Sequence, residues 1–235
     1  MNNRVQLNLH RNAFVDVEHI DMLKSNYRGK NWKLNSERFG TEETIYAIFP
    51  IEDMREFVEK FKEKKVEYIN IYFGAFPVDY PQYSILADRL TLCFVGIKYE
   101  VDGNGNVVNK DIYYGDEQSE NGVSLLNTES HVSMLKRNYR EGRHKHNSEA
   151  IGKPDSLSVT FTLEIFEEFI SEKEKQNANG IKIYIGAYPD NYEVVPEFSA
   201  MQTIVLVGTE QHNGVTSDIL YGDRIGLNMG NLQSS

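Results

Sequence analysis

The sequence predicts an α+β protein built as two tandem homologous domains, and three observations carry that expectation. Residues 69–77 read INIYFGAFP and residues 181–189 read IKIYIGAYP, nearly the same phrase written twice at an offset of 112. At that single offset roughly a third of positions 19–97 are identical, a period far too long for a solenoid and suited to two copies of a small domain. Within each copy the apolar positions alternate between helical and strand spacing. Each copy is therefore predicted to hold a small mixed β-sheet with helices mainly on one face, the two copies being related by pseudo-twofold symmetry. The copies span 16–117 and 128–224, with the polar stretch Gln118 to Asn127 as their boundary.

Each element follows from local pattern. Asp16 and Thr128 are N-cap residues for helices whose apolar positions are Val17, Ile20, Leu23 and Tyr27 in one copy and Val132, Leu135 and Tyr139 in the other. A polar stretch ending near Gly40 or Gly152 reads as a loop. A short strand follows, Thr44 to Phe49 or Leu157 to Phe161. A second amphipathic helix begins beside Pro50 or Thr162, with Ile51, Met54, Phe57, Val58 and Phe61 matching Leu163, Phe166, Phe169 and Ile170. In the repeated phrase Ile69, Ile71 and Phe73 share one strand face, while Gly74 and Pro77 end the strand. The Leu92 to Ile97 run is apolar on both faces and predicts a central strand. Turns at Asp102 to Asn106 and His212 to Gly214 lead into the last strand. A strand, a helix and a strand in succession predict a right-handed crossover and a parallel pair.

Composition bounds the function. The 235-residue chain has 25 Lys and Arg against 35 Asp and Glu, a net charge of -10, which argues against nucleic acid and against an anionic membrane surface as partners. The first residues carry no apolar signal core and no run is long enough to span a bilayer, so a cytoplasmic location is expected. Cys93 is the only cysteine and lies in an apolar strand, which predicts a small buried side chain with no disulfide and no cysteine-based zinc site.

No catalytic or cofactor signature is present, and no cofactor or metal is expected. The Asp102-Gly103-Asn104-Gly105-Asn106 stretch has Val107 and Tyr113 where a calcium loop needs its turn glycine and bidentate acid, and it reads as a hairpin. His144-Lys145-His146 lacks further ligands at a metal-binding spacing and reads as an exposed loop. No phosphate loop, nucleophile elbow or zinc-helix motif occurs. What remains is a polar set present in both copies: His19 and His131, Lys24 and Lys136, Asn26 and Asn138, Tyr27 and Tyr139, Arg28 and Arg140, Glu37 and Glu149, Tyr72 and Tyr184, Asp116 and Asp223. Arg28, at a helix C-terminus, suits an ion pair with Glu37. Phe76, Tyr80 and Tyr83, matched by Tyr188 and Tyr192, lie in loops rich in Tyr and Pro that suit a recognition surface.

The Ile69-Asn70-Ile71-Tyr72-Phe73-Gly74 and Ile181-Lys182-Ile183-Tyr184-Ile185-Gly186 strands, followed by Phe94-Val95-Gly96 and Leu206-Val207-Gly208, resemble a group of short uncharacterised bacterial proteins. Those proteins carry a single copy with an I-R-I-Y-x-G strand and an L-V-G strand. The resemblance implies the fold and no activity.

Two functions follow. The first is a binding module for a protein partner, a fused pseudo-dimer whose contact surface comprises the Tyr and Pro loops and the groove between halves. Candidate binding residues are Tyr72, Tyr184, Phe76, Tyr80, Tyr83, Tyr188, Tyr192, Arg28, Arg140, His19 and His131. It requires an exposed aromatic patch at 76–83 or 188–192. The alternative is a small-molecule hydrolase or similar enzyme, which requires His19 or Asp116 to converge with Tyr72 and Arg28 in one pocket.

Overall fold

A computed structural model describes residues 13–79, 86–114, 128–222, 224–228 and 231–234. The first stretch runs through Phe14–Val15 (β1), Val17–Tyr27 (α1), Lys33–Phe39 (α2), Tyr46–Pro50 (β2), Ile51–Glu63 (α3), Tyr68–Ala75 (β3), Leu90–Val101 (β4) and Val107–Tyr113 (β5). The second runs through Glu129–Tyr139 (α4), Lys145–Ile151 (α5), Ser158–Thr162 (β6), Leu163–Lys175 (α6), Gly180–Ala187 (β7), Gln202–His212 (β8) and Val215–Asp218 (β9). Gly226–Leu227 (β10) and Asn231–Gln233 (β11) complete the order.

Helix α1 starts where the sequence predicts it, with the Asp16 side chain accepting the His19 N–H at 2.9 Å; Thr128 caps α4 in the same way. The expected polar loops after these helices are instead continuous helix. A single π-helical turn, Arg28–Trp32 or Arg140–His144, carries α1 into α2 and α4 into α5. Gly40 and Gly152 then stop the chain in the left-handed conformation, at φ 69° and 72°. These turns look solvated because Asn31, Asn35, Arg143 and Asn147 are polar, yet all four are buried. His144 and His146 belong to this helical segment and are half-buried, not the exposed loop expected.

The fold is α+β with two sheets, ordered β1-β10-β8-β7-β2, with β9 on β8, and β11-β6-β3-β4-β5. Among the described residues every strand pairing is antiparallel, so the expected mixed sheet with its parallel pair is corrected. The crossover rule presumes that the strands flanking a helix share a sheet, and here they do not. Strand β2 pairs with β7, from Tyr46 opposite Tyr184 to Pro50 opposite Gly180. Strand β6 pairs with β3, from Thr162 opposite Tyr68 to Ser158 opposite Tyr72. Helices α3 and α6 each carry the chain from one sheet to the other.

Strand periodicity then assigns the faces. Ile69, Ile71 and Phe73 of β3 and Ile181, Ile183 and Ile185 of β7 enter one core shared by both sheets with Met54, Phe57 and Phe61 of α3 and Phe166, Phe169 and Ile170 of α6. Each such large side chain contributes about 1.5–3 kcal/mol on burial. The opposite faces carry α1 and α4, so helices cover both faces of each sheet rather than mainly one. Gly74 and Gly186 lie inside β3 and β7 instead of ending a strand. A Cβ on Gly186 would stand 3.0 Å from Leu23 Cβ of α1, and one on Gly74 would stand 3.0 Å from Leu135 Cβ of α4. Hydrogen there is what lets each helix lie against its strand. Cys93 is buried and its thiol is pushed up to about 12, an unreactive state. Asp102 accepts the Asn104 and Asn106 N–H groups at 2.9 and 2.8 Å, which closes the β4–β5 turn. Among the described residues no helix is long and apolar enough to cross a membrane.

Candidate functional site

Alternation along β7 places Lys182, Tyr184 and Gly186 on the face opposite the core, under α1. Tyr184 donates its hydroxyl proton to Asp218 Oδ2 at 2.6 Å, while Lys182 Nζ reaches both the Tyr184 oxygen at 3.2 Å and Asp218 Oδ1 at 2.6 Å. Lys24 of α1 sits 4.3 Å above the Tyr184 ring, and Tyr46 of β2 meets that ring edge-on. Burial first, and the Asp218 hydrogen bond second, raise the Tyr184 hydroxyl well above its ordinary range. A tyrosine serving as a base at neutral pH needs the opposite shift, so this cluster is closed on itself.

The corresponding face of β3 carries Tyr72 with Lys136 of α4 at 3.6 Å above its ring and Asn70 donating to its hydroxyl at 3.1 Å. Asn70 in turn accepts from Thr160 of β6. Burial raises the Tyr72 hydroxyl and, by penalising the ammonium, lowers Lys136. Arg28 and Arg140 are exposed and act on Tyr184 and Tyr72 only through charge. Arg28 forms no salt bridge with Glu37 among the described residues.

His19 projects from α1 toward Tyr188, Tyr192 and Asn228, with ring contacts at 6.4 and 6.2 Å and its Nε2 3.3 Å from Asn228 Oδ1. Tyr188 donates to the same oxygen at 3.0 Å. Burial lowers the His19 pKa, and that of His131 likewise. His19 thus lies on the outer face of one sheet and Tyr72 on the outer face of the other. Asp116 and Asp223 lie outside the described residues, as do Tyr80 and Tyr83.

The 188–192 loop is not the exposed aromatic patch expected, while residues 80–83 of the 76–83 loop lie outside the described residues. Tyr188 is 1% exposed, Tyr192 6% and Phe76 6%. Tyr188 and Tyr192 pack on Ile20 and Leu23, and Phe76 on Val132 and Leu135, because the glycines beneath the helices draw the loops into the helix–strand contact. Val78 and Asp79 of the first loop and Asp190, Asn191, Glu193 and Val194 of the second face outward.

Three further groups have no counterpart in the sequence reading. Arg143 is 1% exposed; its Nε donates to Glu43 Oε2 at 2.5 Å, its Nη1 to Asp88 Oδ1 at 3.1 Å and its Nη2 to the Asp88 carbonyl. Its guanidinium lies 4.3 Å above the Phe39 ring. Glu43 spends its other oxygen on the Leu90 and Thr44 N–H groups. Asp155, fully buried, accepts from Gln202 N and Ser156 N through Oδ1 and from Asn147 through Oδ2, and it forms no ion pair among the described residues. Burial raises its pKa despite those donors.

The third is a groove of about 390 Å³ where residues 25–31 meet residues 187–191. Lys30 and Asp190 bridge its mouth at 2.5 Å. Asn31, 2% exposed, lines it, and its Oδ1 is buried with no hydrogen-bond partner among the described residues. Among the described residues no group of three His, Cys, Asp or Glu side chains is placed to hold a metal ion. No known protein family, curated protein or solved structure matches this chain.

Proposed function

We propose that the chain is a non-enzymatic binding module for a protein partner, two copies of one α+β unit (16–117 and 128–224) fused into a pseudo-dimer about a pseudo-twofold axis and acting in the cytoplasm. The reciprocal loan of β2 and β6 is what a strand-exchanged homodimer of single copies would do, and fusion keeps the ratio of the copies at one to one. The observation that carries the binding reading is the groove at the seam between the copies. It is lined from both sides by polar groups and retains a buried acceptor that nothing among the described residues satisfies. Of the repeated side chains, by contrast, His19 is engaged with Asn228 and Tyr184 with Asp218, and Lys136 stacks on Tyr72. With Phe76, Tyr188 and Tyr192 buried, the contact surface is the seam and the exposed loop residues beside it. A net charge of -10 steers basic proteins toward such a surface.

Capture of partners from native extract tests the reading, with Asp190→Lys as the control. Asp190 is exposed, so the fold is kept while the mouth of the groove changes sign. A basic protein retained by the wild type and lost by Asp190→Lys is the expected result. Identical capture by both proteins overturns the assignment of the seam.

A further inference from the structure

We propose that the groove beside Asn31 is a socket for a guanidinium group, presented by an arginine side chain of the partner. The inference deepens the binding reading above and rests on the equivalence of the two copies, and three observations lead to it.

The first is a pair of matched carboxylates. Glu43 holds the N–H of Leu90 at 2.8 Å, and Leu90 faces Ala75 across β3 and β4. Asp155 holds the N–H of Gln202 at 2.7 Å, and Gln202 faces Ala187 across β7 and β8. The backbone agrees, since Asp88 and Ala200, again 112 residues apart, both take positive φ, 53° and 63°. Each acid is therefore fixed on the same spot of its ladder.

The second is what stands opposite. Glu43 receives Arg143, whose guanidinium fans its donors over Glu43 and Asp88. The position 112 residues earlier is Asn31, too short to span the same gap and without a charge. Ala200 likewise replaces Asp88 and brings no side-chain oxygen. Among the described residues Asp155 forms no ion pair, whereas Glu43 has one with Arg143. Asn31 Oδ1, and Asn147 Oδ1 on the side chain that holds Asp155, are buried acceptors with no hydrogen-bond partner among the described residues; the Asn35 amide and the Ser156 hydroxyl likewise have none.

The third is access. The Arg143 end is filled by its own side chain, whereas the Asn31 end opens into the groove, with the Asp190 carboxylate at its mouth. On the equivalence of the copies the position that faces Asp155 carries no cation, Lys30 being already paired with Asp190, and such a site selects a cation carrying many donors. Guanidinium, planar with five N–H groups, matches that set, as Arg143 does at the other end; an ammonium is a point charge with three donors.

Calorimetric titration of the full chain with N-acetyl-arginine amide tests this, with the lysine analogue as control. Saturable binding is expected, weakened about tenfold for the lysine analogue and by a similar factor in Asp190→Asn, which removes an exposed charge and leaves the interior untouched. A second variant, Asn31→Arg, supplies the guanidinium from within: its Tm is expected to rise and its probe binding to vanish. Unchanged affinity in both variants overturns the socket, because the probe is then bound elsewhere. No saturable binding together with a raised Tm in Asn31→Arg also overturns it, while leaving the equivalence of the copies standing. A lowered Tm in Asn31→Arg with no loss of binding overturns the equivalence on which it rests. Partner capture that survives while the arginine probe fails separates this inference from the broader binding reading.

Discussion

At the scale of single residues, the repeated polar side chains were legible in the sequence and the buried ionic ones were not, for one reason. Identity at the 112-residue offset selects positions where the two stretches agree, and Arg143 with Asn31, Glu43 with Asp155, and Asp88 with Ala200 all differ. Arg143 also stands in a polar run that reads as solvated. The signal that could have marked the site is an acid followed by Thr or Ser at both 43–44 and 155–156, in a stretch otherwise read as loop. The energetic consequence is large. Glu43→Ala removes the more deeply buried carboxylate of Arg143, leaving Asp88 as its remaining partner, and is expected to cost about 3 kcal/mol in urea denaturation. Glu167→Ala, which removes an exposed partner of Lys62, is expected to cost less than about 1 kcal/mol; equal losses would contradict the assignment. Lys173 supplies a pH signature. Burial lowers its pKa from 10.5 to about 8, and its ammonium donates to the Arg224 carbonyl at 2.6 Å. Between those two values the unfolded chain binds more protons than the folded one, so stability rises with pH and is lost as pH falls through about 8. Relative to Lys173→Met, the wild type is expected to gain about 1–3 kcal/mol from pH 8 to 10.5, measured by denaturation at each pH. A difference independent of pH would contradict this.

At the scale of elements, periodicity located α1, α3, α4, α6 and the β3, β4, β7 and β8 strands, because each buries a continuous apolar stripe. It missed α2 and α5, whose buried residues include Asn35 and Asn147 and so carry no apolar signature. It also placed Gly74 at a strand end, since a glycine that admits a neighbouring helix is identical in sequence to one that ends a strand. Gly96 and Gly208, the glycines of the Val-Gly blocks, extend that point. A Cβ on Gly96 would meet Val66 at 2.7 and 3.0 Å and Phe61 at 3.1 Å, whereas one on Gly208 would meet the methylenes of Lys173 at 2.8 and 3.3 Å. Gly96→Ala is expected to cost roughly 1–3 kcal/mol in thermal denaturation, and Gly208→Ala less than half as much, since a lysine stem swings aside more easily than a β-branched residue held by a ring. The reverse order would show that the α3 side of the core yields more readily than its side chains imply.

At the scale of the molecule, pattern within each stretch says nothing about which sheet a strand joins, and this is why the exchange of β2 and β6 was invisible. Their apolar alternation suits either sheet equally. The consequence is mechanical: neither sheet is complete without a strand from the other stretch, and one core serves both. Trp32, the only tryptophan, donates to the Glu43 carbonyl at 3.0 Å and reports on this central region. Its fluorescence and far-UV circular dichroism are expected to follow one coincident unfolding transition; two separated transitions would mean that the stretches fold apart. The same exchange creates the seam that binds in this reading. Amide chemical-shift mapping on the labelled full chain during titration with N-acetyl-arginine amide tests that most directly. Saturable shifts centred on residues 25–31 and 187–191, with the Asn31 side-chain amide among them, are the expected result. Shifts centred elsewhere, or none at all, would contradict it.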